Sequence, residues 1–344
     1  MTPIHILLAV IVTLIWGINF TFIAWSLESF PPLMLSALRF FFTAIPLVFF
    51  LKAPKFNRTL FVYAIGTFVM QYAFVFTAMH LGASAGLTAL LLQLQIFITV
   101  LLAYFMLGES VNRMQLIGMV IGVLGLTVIA ANLGGDMPLL GFICILIAAT
   151  GWSFGNIASK QLSSAAKPIP TATLAQEPSS QNAPVSTLSS TPSSTFISTP
   201  SLTSSPAPLS VALSALSLVV WGGLIACVIL TVASLIFETD AWQVSTLTHA
   251  SMKSWLSLGF IVYISTLLGF GLWVYLLSEN TASKVVPFAL LVPVFGMIMS
   301  VIFTGEVVTW WKMLAMGLIL SGLLLANLKP KKVLHRSVGS TGPL

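Results

Sequence analysis

Leu107-Gly108-Glu109-Ser110-Val111 and Thr304-Gly305-Glu306-Val307-Val308 stand 197 residues apart, each between two long apolar runs. Sliding one onto the other without a gap also aligns Ala85 with Ala282, Met119 with Met316, and Gly125-Leu126 with Gly322-Leu323. A weak repeat between two apolar halves is the sequence mark of a carrier made of two related bundles, with its substrate site between them.

Working outward from the repeat, the apolar residues fall into ten runs near 4–25, 32–51, 60–79, 85–107, 114–132, 139–159, 211–237, 254–277, 285–304 and 311–328. Each is close to the length that crosses a bilayer core at 1.5 Å per residue. The composition agrees: of 344 residues, 58% are hydrophobic and only 6% charged. A water-soluble domain of this composition has too little polar surface to cover itself. The expected fold is an all-α polytopic membrane protein of ten transmembrane helices in two inverted five-helix repeats. The first run has no basic leader and no small-residue cleavage site, so it reads as a span and not as a removed signal peptide.

Five spans precede Asp136 and five follow it. An odd number per half makes the second half enter from the opposite side, so the repeats are inverted about an axis in the membrane plane. The expected divisions are 1–133 for the first repeat, 134–162 for the sixth span, 163–210 for an insert, 211–330 for the remaining spans and 331–344 for a basic tail.

The net charge of +6 would suggest nucleic acid in a soluble chain. Its placement gives another reason. With the N-terminus in the cytoplasm, that side receives Lys52, Lys55, Arg58, Arg113, Lys160, Lys167, Lys284, Lys329, Lys331, Lys332 and Arg336, and the outer side only Lys253 and Lys312. This bias places both termini in the cytoplasm and predicts a lipid bilayer, not nucleic acid, as the partner of the positive charge.

About 29 of the 48 residues in 163–210 are Ser, Thr or Pro. Such a segment cannot bury enough apolar surface to offset its ordering entropy, and reads as a disordered cytoplasmic tether. Gly82 with Gly86, Gly118 with Gly122, and Gly151 with Gly155 have the spacing that lets helices approach closely in lipid. Cys144 and Cys227 lie in apolar runs and read as small buried hydrophobes. No metal or cofactor pattern is present in the sequence.

Arg39 is the most costly residue here, about seven residues into the second span. An intramembrane charge is a functional candidate, and its planar fork suits a carboxylate. Asn19 lies at similar depth in Trp16-Gly17-Ile18-Asn19-Phe20, loosely echoed by Trp152-Ser153-Phe154-Gly155-Asn156. Gln71, Gln93 and Gln95 fall near mid-membrane and suggest a hydrated cavity, with Tyr72, Tyr263, Trp273 and Tyr275 as candidate lining. Pro287 and Pro293 interrupt the ninth span and Pro46 the second, as hinges or fixed bends. Glu109 and Glu306 end the fourth and ninth spans on opposite faces and read as turn and gate residues. No Asp or Glu lies deep in a span, which disfavours a proton-exchanging pump of cationic drugs.

These features resemble the EamA-type members of the drug/metabolite transporter superfamily. The resemblance rests on Trp16-Gly17-Ile18-Asn19-Phe20, the stretch Pro31-Pro32-Leu33-Met34-Leu35 to Arg39-Phe40, Ala83-Ser84-Ala85-Gly86-Leu87, Gly108-Glu109 and Leu291-Val292-Pro293-Val294. The Pro31–Phe40 stretch and Leu92-Gln93-Leu94-Gln95-Ile96-Phe97 are most similar to the branch that exports O-acetylserine and cysteine. The resemblance implies an inner-membrane exporter of small zwitterionic metabolites. A drug or nucleotide-sugar carrier of the same superfamily is the alternative. A membrane-embedded transferase would place clustered His, Asp or Glu at one face, and the sequence has no such cluster. Monomer and homodimer stay open at this point.

Overall fold

The computed structural model describes residues 1–45, 47–165 and 208–327. Their long helices are α1 (Pro3–Ser26), α2 (Pro32–Ala44, then a 3-10 turn at Leu47–Phe49), α3 (Arg58–His80), α4 (Ala85–Leu107), α5 (Arg113–Ala130), α6 (Leu139–Ala165), α7 (Pro208–Phe237), α8 (Met252–Glu279), α9 (Val286–Thr304) and α10 (Trp310–Asn327). Among the described residues, ten helical segments are long and apolar enough to cross a membrane. All ten expected spans are present. The expected insert loses its two ends to helices, because α6 runs to Ala165 and α7 starts at Pro208. Its remainder, 166–207, lies outside the described residues, as do Pro46 and the tail 331–344.

Polar side chains set the helix starts. Ser84 accepts from Leu87 N at the start of α4, and Asn112 and Gln115 form a reciprocal capping box on α5. Each satisfies backbone N–H groups that a first turn leaves open.

The two halves break their helices at matching places. In α4 the helix lapses at Leu92–Gln93 and resumes as Leu94–Leu107. In α9 a 3-10 stretch, Val286–Leu290, gives way to Leu291–Thr304. The resumed helices are 14 residues each, and stand in the 197-residue register. Each ends on a left-handed glycine, Gly108 at φ 67° and ψ 23° and Gly305 at φ 70° and ψ 22°. α5 and α10 are 18 residues each in the same register. Both α3 and α8 widen to a π-helical stretch, at Ile65–Met70 and Phe260–Leu268. These matches fit the two-repeat reading.

Packing joins the halves. α2 runs along α7, α1 along α9, and α5 along α10. At the α5–α10 crossing, a Cβ on Gly322 would stand 2.5 Å from the Gly118 carbonyl oxygen, so only glycine fits. Gly151 packs likewise against Met70 and Gly66 of α3. The expected helix-packing role of Gly82 is corrected. Gly82 has φ 104° and makes the turn before α4, where the left-handed backbone, not a close approach, calls for glycine.

Contacts at helix ends sort the loops onto two faces. Lys253, starting α8, pairs with Glu28 after α1, at 2.6 Å. At the other face His5, starting α1, meets Asn280 after α8. Glu306 lies on the first face with Ser84 and Asp136, and Glu109 on the second.

Candidate functional site

Arg39 is 2% exposed in the middle of this assembly. α2 carries it between the halves. Its Nη2 donates to Thr266 Oγ1 at 2.8 Å on α8 and to the Tyr72 hydroxyl at 3.2 Å on α3. Its guanidinium carbon sits 4.1 Å from the centroid of the Tyr72 ring, a cation–π arrangement. The Thr266 hydroxyl donates onward to Ile261 O at 2.7 Å, so its oxygen is free to accept from Arg39. That i→i−5 bond lies in the π-helical stretch of α8, a kind of irregularity common at functional sites. Arg39 Nε and Nη1 have no partner. Unpaired donors on a buried cation are costly, and acceptor oxygens of a polar ligand would satisfy them.

Other buried acceptors are also unpartnered: Asn19 Oδ1 on α1, Gln71 Oε1 on α3 beside Tyr72, and Thr67 Oγ1. They suit the ammonium or hydroxyl hydrogens of a polar ligand.

The two remaining amides serve the broken helices. Gln93 donates through Nε2 to Ala289 O at 3.3 Å, joining the lapse in α4 to the 3-10 stretch that opens α9. Gln95 accepts through Oε1 from Asn156 on α6 at 2.8 Å, and its carbonyl accepts from the Ser153 hydroxyl at 2.9 Å. Thus the Trp152–Asn156 echo packs on α4, much as Gly17 packs on α9. Pro287 lies in the 3-10 stretch and Pro293 in the first turn of the helix that follows. A first turn has no intrahelical acceptor for the missing N–H, so Pro293 costs that helix no hydrogen bond.

Glu306 is buried, with a dense set of donors. Its Oε1 accepts from Ser84 Oγ at 2.7 Å and Lys312 Nζ at 2.9 Å, and its Oε2 from Gly86 N at 3.1 Å and from Ser300. Lys312 is 0% exposed and also donates to Asp136 at 2.6 Å and Val307 O at 2.8 Å. Glu109, its repeat counterpart, is instead half-exposed and pairs with Lys160 of α6. A cavity of about 170 Å³ opens beside that pair, lined by Thr99, Gln115 and Asn156 among others.

The EamA-like transporter family matches residues 3–131 and 195–328. The chain belongs to that family. It is 32% identical to a "Probable amino-acid metabolite efflux pump" of Escherichia coli K12, over 92% of each chain. The protein of the same name in Salmonella typhimurium LT2 is also 32% identical over 92% of each chain. The "Uncharacterized inner membrane transporter YedA" of Escherichia coli K12 is 22% identical over 92% of this chain and 88% of its own. A protein of known crystal structure, 18% identical, shares the fold with a TM-score of 0.55 over 95% of this chain and 99% of its own.

In this EamA chain the aromatic residues separate. Tyr72 is the one that meets Arg39. Trp273 lies one step away: it packs on Trp16 at 5.1 Å, and Trp16 Nε1 donates to Ser265 O, next to Thr266. Tyr275 and Tyr263 are exposed, Tyr275 edge-on to His5 at the far face. Sequence reasoning singled out neither Thr266 nor the buried role of Lys312. No sequence signal marks Thr266 among many span threonines. For Lys312, the match of its span-end position to Gln115 in the other repeat was the available clue.

Proposed function

We propose that this EamA-family chain exports small amino-acid-like metabolites, cysteine or O-acetylserine among them, by alternating access between its halves. Arg39 holds the cargo carboxylate through the unpartnered Nη1, while Thr266 and Tyr72 fix the guanidinium plane. The observation that carries this reading is the pair of unpartnered Arg39 nitrogens in the buried seam of α2, α3 and α8. The unpartnered oxygens of Asn19 and Gln71 supply acceptors for the ammonium group. Gln93 and Gln95 shape the pathway by holding the helix breaks, Trp273 backs its wall through Trp16, and the segment from Pro287 to Pro293 is the hinge of α9. The efflux-pump names of the relatives support an amino-acid cargo and outward direction. The basic residues at the Glu109 face support a cytoplasmic placement of that face and of both termini in the inner membrane.

The test is transport of a panel of labelled amino acids by inverted membrane vesicles from cells making the protein. Carboxylate-bearing small cargo is expected to accumulate, and decarboxylated analogues are not. Accumulation of nucleotide sugars or cationic drugs in place of amino acids would overturn the reading.

A further inference from the structure

The contact at Glu306 joins the two broken helices. Its carboxylate takes Ser84 Oγ at the N-cap of α4 and Gly86 N–H in its first turn, and so binds the end of α9 to the start of α4. Gly86 leaves room for it, since a Cβ there would stand 2.8 Å from Glu306 Oε2. Along this tie, Ala85–Leu91 packs against Leu291–Thr304. The second half of α4, Leu94–Leu107, packs against α6. Among the described residues the reciprocal packing, 282–290 along Leu94–Leu107, is at most slight.

The repeat register places Glu109 where Glu306 stands, after a left-handed glycine with the same backbone angles. It also places Thr281, before the helix Ala282–Val285, where Ser84 stands before Ala85. The backbone carbonyls of both hydroxyl residues accept the first turn, from Lys284 N at 2.8 Å and Thr88 N at 3.0 Å. Yet the two carboxylates are differently engaged: the side chain of Glu306 is 2% exposed and that of Glu109 45%. Repeat-equivalent residues inside the crossing differ in the same sense. Ala89 on α4 is 1% exposed, and Val286 on α9 is 37% exposed.

We infer that Glu306 and Glu109 are reciprocal latches: Glu306 closes its face by binding the first turn of α4, and Glu109, when that latch opens, leaves Lys160 and closes the other face on the first turn beginning at Thr281. The inference rests on the alternating-access reading above. Opening the Glu306 latch strands no charge, because Lys312 and Ser300 belong to the same half and stay with the carboxylate. At Glu109 those positions are Ala103 and Gln115, which supply no cation. The latches are therefore unequal, and the arrangement closed at Glu306 is the favoured one. Glu109 meanwhile is held by an exposed ion pair, a weak restraint that yields readily.

Sided cysteine labelling tests this in full-length protein in vesicles, with Cys144 and Cys227 replaced by Ala. Ala89→Cys reports the Glu306 face and Val286→Cys the Glu109 face, each by its rate with a membrane-impermeant maleimide. Glu306→Gln is expected to speed labelling at 89 about tenfold, the scale of lost charge-assisted hydrogen bonds, and to slow it at 286. Glu109→Gln is expected to do the reverse. Ser84→Ala removes one donor while leaving Lys312 with Glu306, so it covers the case where Glu306→Gln fails to fold; it should move both sites as Glu306→Gln does, by less. Shifts in the same direction for Glu306→Gln and Glu109→Gln would overturn the latch, as would unchanged labelling in both Ser84→Ala and Glu306→Gln. Reciprocal labelling in a protein that exports no amino acid supports the latch and overturns the cargo. Export with non-reciprocal labelling overturns the latch and supports the cargo.

Discussion

Arg39 on α2 and Thr266 on α8 stand 227 positions apart in sequence and share a 2.8 Å hydrogen bond across the seam between the halves. The bond passes the orientation of a buried cation from one half to the other. Thr266→Val removes the acceptor and leaves Tyr72 as the hydroxyl partner of Arg39. Export is expected to fall about tenfold, since a hydrogen bond to a charged group contributes ~1.5–3 kcal/mol. Thr266→Ser keeps the oxygen and should stay near the wild-type rate. Initial export rates, normalised to inserted protein, check both.

Lys312 and Glu306 predict a coupling in stability. Removing one partner of a buried pair leaves the other uncompensated and costs roughly 3–5 kcal/mol. Lys312→Gln should therefore lower the melting temperature in detergent strongly, as should Glu306→Gln. The double variant should melt above the value expected from adding the two losses. Strict additivity would mean that the two residues stabilise the fold independently.

Gly322 and Gly305 predict different costs for different reasons. A side chain at Gly322 meets the Gly118 carbonyl at 2.5 Å, in the body of the α5–α10 crossing. Gly322→Val should push the helices apart and cost about 1–3 kcal/mol, as overpacking does. Gly305 has open space around it, and only its φ of 70° opposes a side chain. Gly305→Ala should cost roughly 1–2 kcal/mol, the left-handed penalty alone. Thermal melting of the purified variants distinguishes the two, and the first should also weaken the helix pairing seen by cross-linking α5 to α10.

The basic residues predict the orientation. Reporter fusions after Leu51 and after Leu344 should both read as cytoplasmic. An outward-facing signal at either position contradicts the assignment of the Glu109 face to the cytoplasm.

The ten helices were legible because each is a run of apolar residues of spanning length, and in lipid a single run satisfies its own backbone only as a helix. The register of the broken helices was legible in Gly108-Glu109 and Gly305-Glu306, where glycine marks the left-handed cap of each. Arg39 was legible by cost alone. Its partners were not: Thr266 is one hydroxyl among many, and its meeting with Arg39 depends on how two distant helices pack. By sequence Lys312 falls among the outer-face basic residues, where a lysine near a span end ordinarily snorkels into water. Here it turns inward, since Glu306 and Asp136 give it buried partners. Gln93 and Gln95 were expected together and diverge because the helix lapses beside them, turning Gln93 to α9 and Gln95 to α6.

The most direct test compares cysteine with its decarboxylated analogue, cysteamine, as cargo for wild-type, Arg39→Lys and Arg39→Gln proteins in the same vesicles. If Arg39 holds the carboxylate, wild type moves cysteine and discriminates against cysteamine. Arg39→Lys then loses most of the cysteine rate, because a compact ammonium replaces the planar guanidinium, and Arg39→Gln loses the rate and the discrimination together. Equal cysteine transport by all three proteins, per inserted molecule, would contradict the assignment of Arg39 to the cargo.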